Sequence, residues 1–94
     1  MVTEIEREDL KKRLNLVFCE VFQDEAIGIT ETMTARDIEG WDSLTHVNLI
    51  VAVEKRFKIL FSTKEVSALR NVGDFIKLIE KKLKAQTELL NELN

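Results

Sequence analysis

The stretch that decides the fold runs from Ser43 to Phe57 and reads SLTHVNLIVAVEKRF. Its apolar residues recur at steps of three and four, a spacing that places side chains on one face of an α-helix. One such stripe consists of His46, Leu49, Ile50, Val53 and Phe57. Either Asp42 or Ser43 can accept backbone N–H bonds as an N-cap, so we predict that a core-facing helix begins here.

The same helix carries a second apolar stripe, formed by Leu44, Val47 and Val51. Because the two stripes lie on different parts of the circumference, a small bundle that buries the first leaves the second near solvent. An exposed apolar strip is a candidate docking surface for another protein. The alternative is that Val47 and Val51 pack beneath the preceding loop.

An amphipathic helix followed by a long loop is predicted on the N-terminal side of this stretch. Thr3 and Glu6 form a capping-box pattern at the start of the helix, which fades between Phe22 and Asp24. Its apolar residues again recur at steps of three and four: Leu10, Leu14, Val17, Phe18 and Val21. The loop that follows runs to about 18 residues, a length more often functional than idle.

Two helices are predicted on the C-terminal side. Ser62 or Thr63 caps a short third helix, which has too few apolar residues to be stable alone. Asn71 or Asp74 introduces the fourth, with Phe75, Ile76, Ile79 and Leu83 on its core face and Lys77, Lys81, Lys82 and Lys84 on a solvated face. The chain has no proline and no convincing strand pattern. We therefore predict an all-α fold, a small four-helix bundle of three long helices and one short, with a long loop between helices 1 and 2.

The length and composition fit one folded domain. Ninety-four residues with 45% apolar and 33% charged side chains are too rich in Leu, Ile, Val and Phe for a disordered chain. We assign residues 1–83 to the domain. Residues 84–94 are a C-terminal extension, which either lengthens the last helix or frays.

Composition also excludes several classes of function. The net charge is −3, so nucleic acid is not an expected partner. A single cysteine forms no internal disulfide, and the first residues lack the basic-then-apolar pattern of a signal peptide. The longest apolar run, from Leu49 to Val53, is far shorter than a transmembrane helix. We expect a cytoplasmic monomer without a membrane span.

The residues that lead into the central helix form a motif. Residues 37–44 read DIEGWDSL, and this segment resembles the acyl carrier protein family, with the match centred on Asp42-Ser43-Leu44. The long loop, the helix that ends in Glu54 and Phe57, and the segment NVGDF at 71–75 are also similar to that family. The resemblance covers residues 3–83. The specificity of the match comes from the placement of the triplet between loop and helix, because three residues alone are too short to identify a family.

The resemblance implies a carrier function. A phosphopantetheinyl transferase (holo acyl carrier protein synthase) would join 4′-phosphopantetheine from coenzyme A to the hydroxyl of Ser43. Acyl or aminoacyl intermediates would then be held as thioesters for acyl-transferring or condensing enzymes. Asp42 and Leu44 belong to the signature that the transferase recognises. The implied partner-binding residues are Leu44, Val47, Asn48, Val51, Glu54 and Lys55.

The start of a helix also suits the root of such an arm. We expect the phosphodiester to lie near unpaired backbone N–H groups and the positive end of the helix dipole, both of which favour an anion.

The charge of the recognition helix departs from the family pattern. Carriers for fatty-acid synthesis display several carboxylates there, whereas this helix has only Glu54, beside Lys55 and Arg56. Because charge matching governs encounter and partner choice, we expect weak docking on strongly basic partners. The hypothesis is a specialised carrier, serving polyketide, peptide-synthetase-like, lipid-modifying or aminoacyl pathways, rather than the housekeeping fatty-acid type.

Two alternatives from other functional classes remain open. One is an unmodified helical interaction module, in which Ser43 is only a cap. The other is a small hydrolase that uses Ser43 and His46. No third orienting group is evident, so we do not expect an enzyme.

No metal is expected, because one cysteine and one histidine make no usual zinc site and the acidic residues lack calcium-loop spacing.

Overall fold

The fold consists of four helices. The computed structural model describes residues 6–93, with side chains to residue 86. Its helices are α1 (Arg7–Phe22), α2 (Ser43–Phe57), α3 (Thr63–Ser67) and α4 (Val72–Leu93). No strand occurs in this part of the chain. The predicted all-α class, the single short helix and the long loop at residues 23–42 are confirmed.

One apolar core joins α1, α2 and α4. α1 packs against both of the other two helices. Its inward residues Leu10, Leu14 and Phe18 are fully buried. Burying a side chain of this kind contributes roughly 1.5–3 kcal/mol relative to leaving it in water. The rest of the core comes from the predicted stripes and from loop residues: Val17, Ile38, Leu49, Ile50, Val53, Phe57, Ile59, Val72, Phe75, Ile76 and Ile79.

The start of α1 differs from the prediction. The helix begins at Arg7, and Glu6 is its N-cap, with an extended backbone and no side-chain capping bond. The first intrahelical bond runs from the Leu10 N–H to the Glu6 carbonyl at 2.9 Å. Because the backbone of Glu6 is extended, the helix does not include Glu6. Thr3, the predicted cap, lies outside the described residues. The helix therefore starts later than a Thr3–Glu6 capping box would place it.

The long loop is fastened to α1 by one side chain. Asn15 Nδ2 donates to the Ile27 carbonyl at 3.1 Å, and Asn15 Oδ1 accepts from the Ile29 N–H at 2.8 Å. Asn15 is half-buried, so these bonds replace water that its amide would otherwise bind. The loop is thus held against the helix rather than hanging free.

The same loop is fastened to the start of α4. The N–H groups of Val72 and Gly73 donate to the carbonyls of Met33 and Glu31, at 2.9 and 2.8 Å. The first N–H groups of a helix lack partners within the helix, and here the loop supplies them. Attachment to α1 and to the start of α4 fixes the course of the chain towards Ile38 and Trp41.

Capping side chains define α3 and hold it on α4. Ser62 caps α3 and forms a capping box with Glu65. The Glu65 carboxylate also pairs with Lys82 Nζ at 2.7 Å. Lys82 was expected on a solvated face, but it is half-buried in this contact. The ion pair therefore secures a helix that has no fully buried residue of its own.

The last helix continues into the C-terminal extension. α4 runs past Lys84 to Leu93, and Gln86 Nε2 donates to the carbonyl of Lys58 at 3.0 Å. Asn94 and the side chains of Leu89, Leu90 and Leu93 lie outside the described residues. Among the helices of the described chain, none combines the length and apolar character needed to cross a membrane.

Candidate functional site

The first turn of α2 is organised by Asp42. This residue is the N-cap, and its Oδ1 accepts the N–H groups of Leu44 and Thr45, each at 3.0 Å. The Thr45 hydroxyl accepts the Asp42 N–H at 2.8 Å, which completes a capping box. Of the two caps that the sequence left open, the structure uses Asp42. Ser43 is therefore the first helical residue and is not needed as a cap.

Ser43 presents a free hydroxyl. The residue is exposed, and no hydrogen bond from any described residue engages its Oγ. It stands at the edge where the long loop meets α2. A reactive group delivered by another protein therefore has direct access to this oxygen.

A tight turn precedes the serine. Gly40 has a φ of +86°, a left-handed conformation that favours glycine. Its carbonyl accepts the Thr45 hydroxyl proton at 2.7 Å. The turn and this bond fix the end of the loop against the first turn of α2, which sets the position of Ser43.

A groove opens beside Ser43. It has a volume of about 330 Å³ and lies between the start of α2 and the segment that leads from α3 into α4. Its walls are both apolar and polar, and its lining residues are Ala35, Trp41, Asp42, Ser43, His46, Leu69, Arg70, Asn71 and Phe75. A flexible group attached to Ser43 would have this groove within its reach.

Trp41 and His46 form one wall of the groove. The Trp41 ring packs against Phe18 and Phe22, with ring centroids 5.3 and 6.0 Å apart. Its Nε1 donates to His46 Nδ1 at 3.1 Å, and the two rings stack. Burial lowers the pKa of His46 from 6.5. The neutral imidazole is therefore the form that folding favours.

Ser43 and His46 do not form a catalytic pair in this arrangement. Among the described residues, no hydrogen bond joins the Ser43 hydroxyl to the imidazole, and His46 Nδ1 is already occupied by Trp41. A serine nucleophile requires a base within hydrogen-bond reach. The hydrolase hypothesis thus lacks its first geometric requirement.

The electrostatic expectation for this helix start is wrong in one respect. The N–H groups of Leu44 and Thr45 are not unpaired, because the Asp42 carboxylate occupies both. Hydrogen bonds from the backbone and side chain of Thr45 lower the pKa of Asp42. A negative charge therefore already stands at the positive end of the α2 dipole.

The second apolar stripe of α2 is open to solvent. Leu44, Val47 and Val51 are 71%, 58% and 41% exposed. Packing of Val47 and Val51 beneath the loop is therefore wrong. An apolar strip beside an accessible hydroxyl gives α2 a surface suited to another protein.

The polar residues named with this strip differ in their availability. Asn48 and Lys55 are exposed. Glu54 is half-buried, and its Oε2 accepts the Phe61 N–H at 2.9 Å. The one carboxylate of the helix is therefore engaged within the domain, which leaves the exposed face without an acidic side chain of its own.

Sequence reasoning missed part of the far wall of the groove. Leu69, Arg70 and Asn71 line it. Asn71 belongs to the segment NVGDF, but no local pattern marks Leu69 and Arg70, because their role depends on how the end of α3 packs opposite the start of α2. The described residues also contain no group of three or more His, Cys, Asp or Glu side chains placed to bind a metal.

The chain is similar to known acyl carrier proteins in sequence and in structure. The acyl carrier protein of Phenylobacterium zucineum is 30% identical over 77 residues, which cover 82% of this chain and 98% of that relative. The solution NMR structure of holo acyl carrier protein from Geobacter metallireducens matches with a TM-score of 0.78 and 44% identity, over 82% of this chain and 88% of that one. No protein-family model matches the chain.

Proposed function

The chain belongs to the acyl carrier protein family, and on that premise we propose that it holds acyl or aminoacyl intermediates as thioesters on a 4′-phosphopantetheine arm attached to Ser43. Members of the family are carriers and not enzymes. The structural relative from Geobacter metallireducens was solved in its holo form. The terminal thiol of such an arm supplies the acyl-binding chemistry, so the carrier itself needs no catalytic group.

The observation that carries this proposal is that Asp42, and not Ser43, caps α2. Asp42 accepts the N–H groups of Leu44 and Thr45, so the Ser43 hydroxyl is not required as an acceptor at the helix start. It is exposed and free to be esterified. A serine that served as the cap would instead have its oxygen engaged with the backbone.

The surroundings of Ser43 fit a long, flexible substituent. The groove of about 330 Å³ begins at the serine and offers apolar contacts from Leu69 and Phe75. Polar groups of Asn71 and Arg70 line the same space. Such a mixed lining suits an arm that carries amides as well as methylene groups.

Partner enzymes would meet the exposed strip of α2. Leu44, Val47 and Val51 supply the apolar contact, with Asn48 and Lys55 beside them and Glu54 at its inner edge. We include the phosphopantetheinyl transferase and acyl-transferring or condensing enzymes among these partners, and Asp42 and Leu44 in the transferase signature. The lack of a free carboxylate on this face supports a specialised carrier over a fatty-acid type.

We extend the proposal to the organisation of the protein. Residues 1–83 would form the carrier domain, and the chain would act as a cytoplasmic monomer. Residues 84–94 would be an extension of α4 and not part of the domain core. Thermal unfolding of a variant ending at Leu83 tests this division, because loss of a cooperative transition would place the extension within the domain. Sedimentation of the full chain tests the monomer.

Pantetheinylation is the direct test of the function. The apo chain is incubated with coenzyme A and a broad-range transferase, and its intact mass is measured. We expect one pantetheine adduct on the wild-type chain and on Ser67→Ala, since Ser67 is another exposed helical serine. Ser43→Ala should gain none. The alternative of an unmodified interaction module predicts no adduct on any of the three.

A further inference from the structure

The structure raises the question of how a phosphodiester on Ser43 is neutralised. Asp42 already places a carboxylate at the start of α2, and it occupies the N–H groups of Leu44 and Thr45. A phosphodiester on the adjacent residue adds a second negative charge. Because like charges on adjacent residues repel, a cation elsewhere in the fold would stabilise the root of the arm.

Arg70 is the cation that the groove supplies. Among the nine residues that line it, Asp42 is acidic, His46 is held neutral by burial, and Arg70 alone is basic. Arg70 is exposed, and its guanidinium forms no ion pair or hydrogen bond with another described residue. The charge is therefore available to a ligand.

The backbone of Arg70 is held in place. Its N–H donates to Asp74 Oδ2 at 3.1 Å, and Asn71 Oδ1 accepts the Asp74 N–H at 2.8 Å. These bonds build the turn that enters α4 and place Arg70 on the wall across from Ser43. Asp74 faces the same residue, but it is engaged with backbone N–H and not with the guanidinium.

We propose that the Arg70 guanidinium pairs with the phosphodiester of the arm on Ser43 and holds the root of the arm against the groove. This inference rests on the proposed carrier function. A guanidinium presents two parallel N–H donors to phosphate oxygens, so it fixes direction as well as charge. The arm then leaves Ser43 towards Leu69 and Phe75 instead of pointing into solvent.

Two lysines provide matched controls. Lys77 and Lys81 border the neighbouring depression, which Arg70 also lines, but neither lines the groove beside Ser43. Both are exposed cations on the same side of α4. A general effect of positive charge would involve them equally, whereas a specific pair would involve Arg70 alone.

The test uses the full-length holo chain, with loading verified by intact mass. The ³¹P chemical shift of the arm is measured for wild type, Arg70→Gln, Arg70→Lys and Lys77→Gln, with the urea-unfolded holo chain as the reference for an unpaired phosphodiester. We expect Arg70→Gln to move the shift towards the unfolded value and Lys77→Gln to leave it unchanged. Arg70→Lys should lie between them. Added NaCl should move the wild-type shift in the same direction, because salt screens an exposed ion pair.

A second measurement uses only the wild-type chain, so it does not require that any variant folds. The Arg70 Nε–H resonance of wild type should shift between the apo and the holo chain. The pair is excluded if this resonance is the same in both forms, or if Arg70→Gln keeps the wild-type ³¹P shift and salt response. The absence of any adduct on the wild-type chain would instead overturn the carrier function itself.

Discussion

The indole Nε1 of Trp41 donates a hydrogen bond to Nδ1 of His46 at 3.1 Å. The bond joins the last residue of the long loop before the cap to the first turn of α2, one helical turn from Ser43. Its acceptor is an unprotonated ring nitrogen, so the contact exists only while His46 is neutral. The wall of the groove beside Ser43 is therefore sensitive to acid.

Acid should loosen this wall. Because burial lowers the pKa of folded His46 below 6.5, the neutral imidazole stabilises the fold above that pH. The contribution is lost as the pH falls through the lower, folded-state pKa. We expect Trp41 fluorescence to change over the same interval, and NMR titration of the imidazole to give a pKa below 6.5.

A non-titrating side chain provides the control. His46→Gln should show a weaker change of Trp41 fluorescence than wild type as the pH falls below 6.5, since nothing at position 46 then gains a proton. A measured pKa of 6.5 or higher for wild-type His46 would contradict the buried, hydrogen-bonded imidazole.

The loop lies directly against α4 at Gly73. A Cβ at this position would lie 2.9 Å from the Glu31 carbonyl oxygen, which is backbone and has little room to move. We expect Gly73→Ala to lower the free energy of unfolding by about 1–3 kcal/mol, the usual cost of overpacking. Urea unfolding followed by circular dichroism measures it.

Gly28 is the matched control for that substitution. A Cβ there would meet no atom within 4 Å, and its backbone is not left-handed. Gly28→Ala should therefore leave stability within about 1 kcal/mol of wild type, with any gain coming from the unfolded chain. Equal losses for the two variants would show that the contact of Gly73 with the loop is not the cause.

The helices and the core were predictable because their signals are local. The spacing within one segment predicts the stripe of His46, Leu49, Ile50, Val53 and Phe57. The last four of these residues are buried, and His46 is half-buried. The start of α1 was predicted too early because Thr3 and Glu6 match a capping-box pattern, whereas the extended backbone of Glu6 makes Glu6 itself the N-cap. Lys82 was misplaced because its partner, Glu65, lies on another helix.

Only the part of the site that is contiguous in sequence was predictable. Asp42, Ser43 and Leu44 stand together in the chain, so a motif could mark them. The groove also needs Leu69 and Arg70, which approach Ser43 only when the segment after α3 folds back. The spacing of residues within one segment does not predict a contact between segments that are distant in sequence.

The ion pair of Glu65 and Lys82 should make α3 acid-labile. Hydrogen bonding to Lys82 and to Ser62 lowers the pKa of Glu65 from 4.5 to about 2. The pair therefore stabilises the fold above pH 4.5, and its contribution is lost as the pH falls towards 2. Tm measured between pH 6 and 2 should fall more for wild type than for Glu65→Gln.

Glu39→Gln is the control. It removes an exposed carboxylate that has no ion pair among the described residues, so its Tm should follow that of wild type. Parallel curves for all three would contradict the pair.

The exposed strip of α2 should govern recognition and not folding. Val47 is 58% exposed, so Val47→Asp should leave Tm nearly unchanged. The kcat/KM of pantetheinylation should drop on the order of tenfold, because a charge would enter an apolar contact. Leu16→Asp is the control, since Leu16 is 53% exposed but lies on α1. Equal effects of the two variants on kcat/KM would remove α2 from the docking surface.

The most direct test of the central claim is to locate the modification. The chain isolated from its native cell is digested, and the peptide that contains Ser43 is fragmented by mass spectrometry. We predict that this peptide releases phosphopantetheine and that the peptides containing Ser62 and Ser67 carry none. A Ser43 peptide that is uniformly unmodified, or an arm found on another residue, would contradict the account.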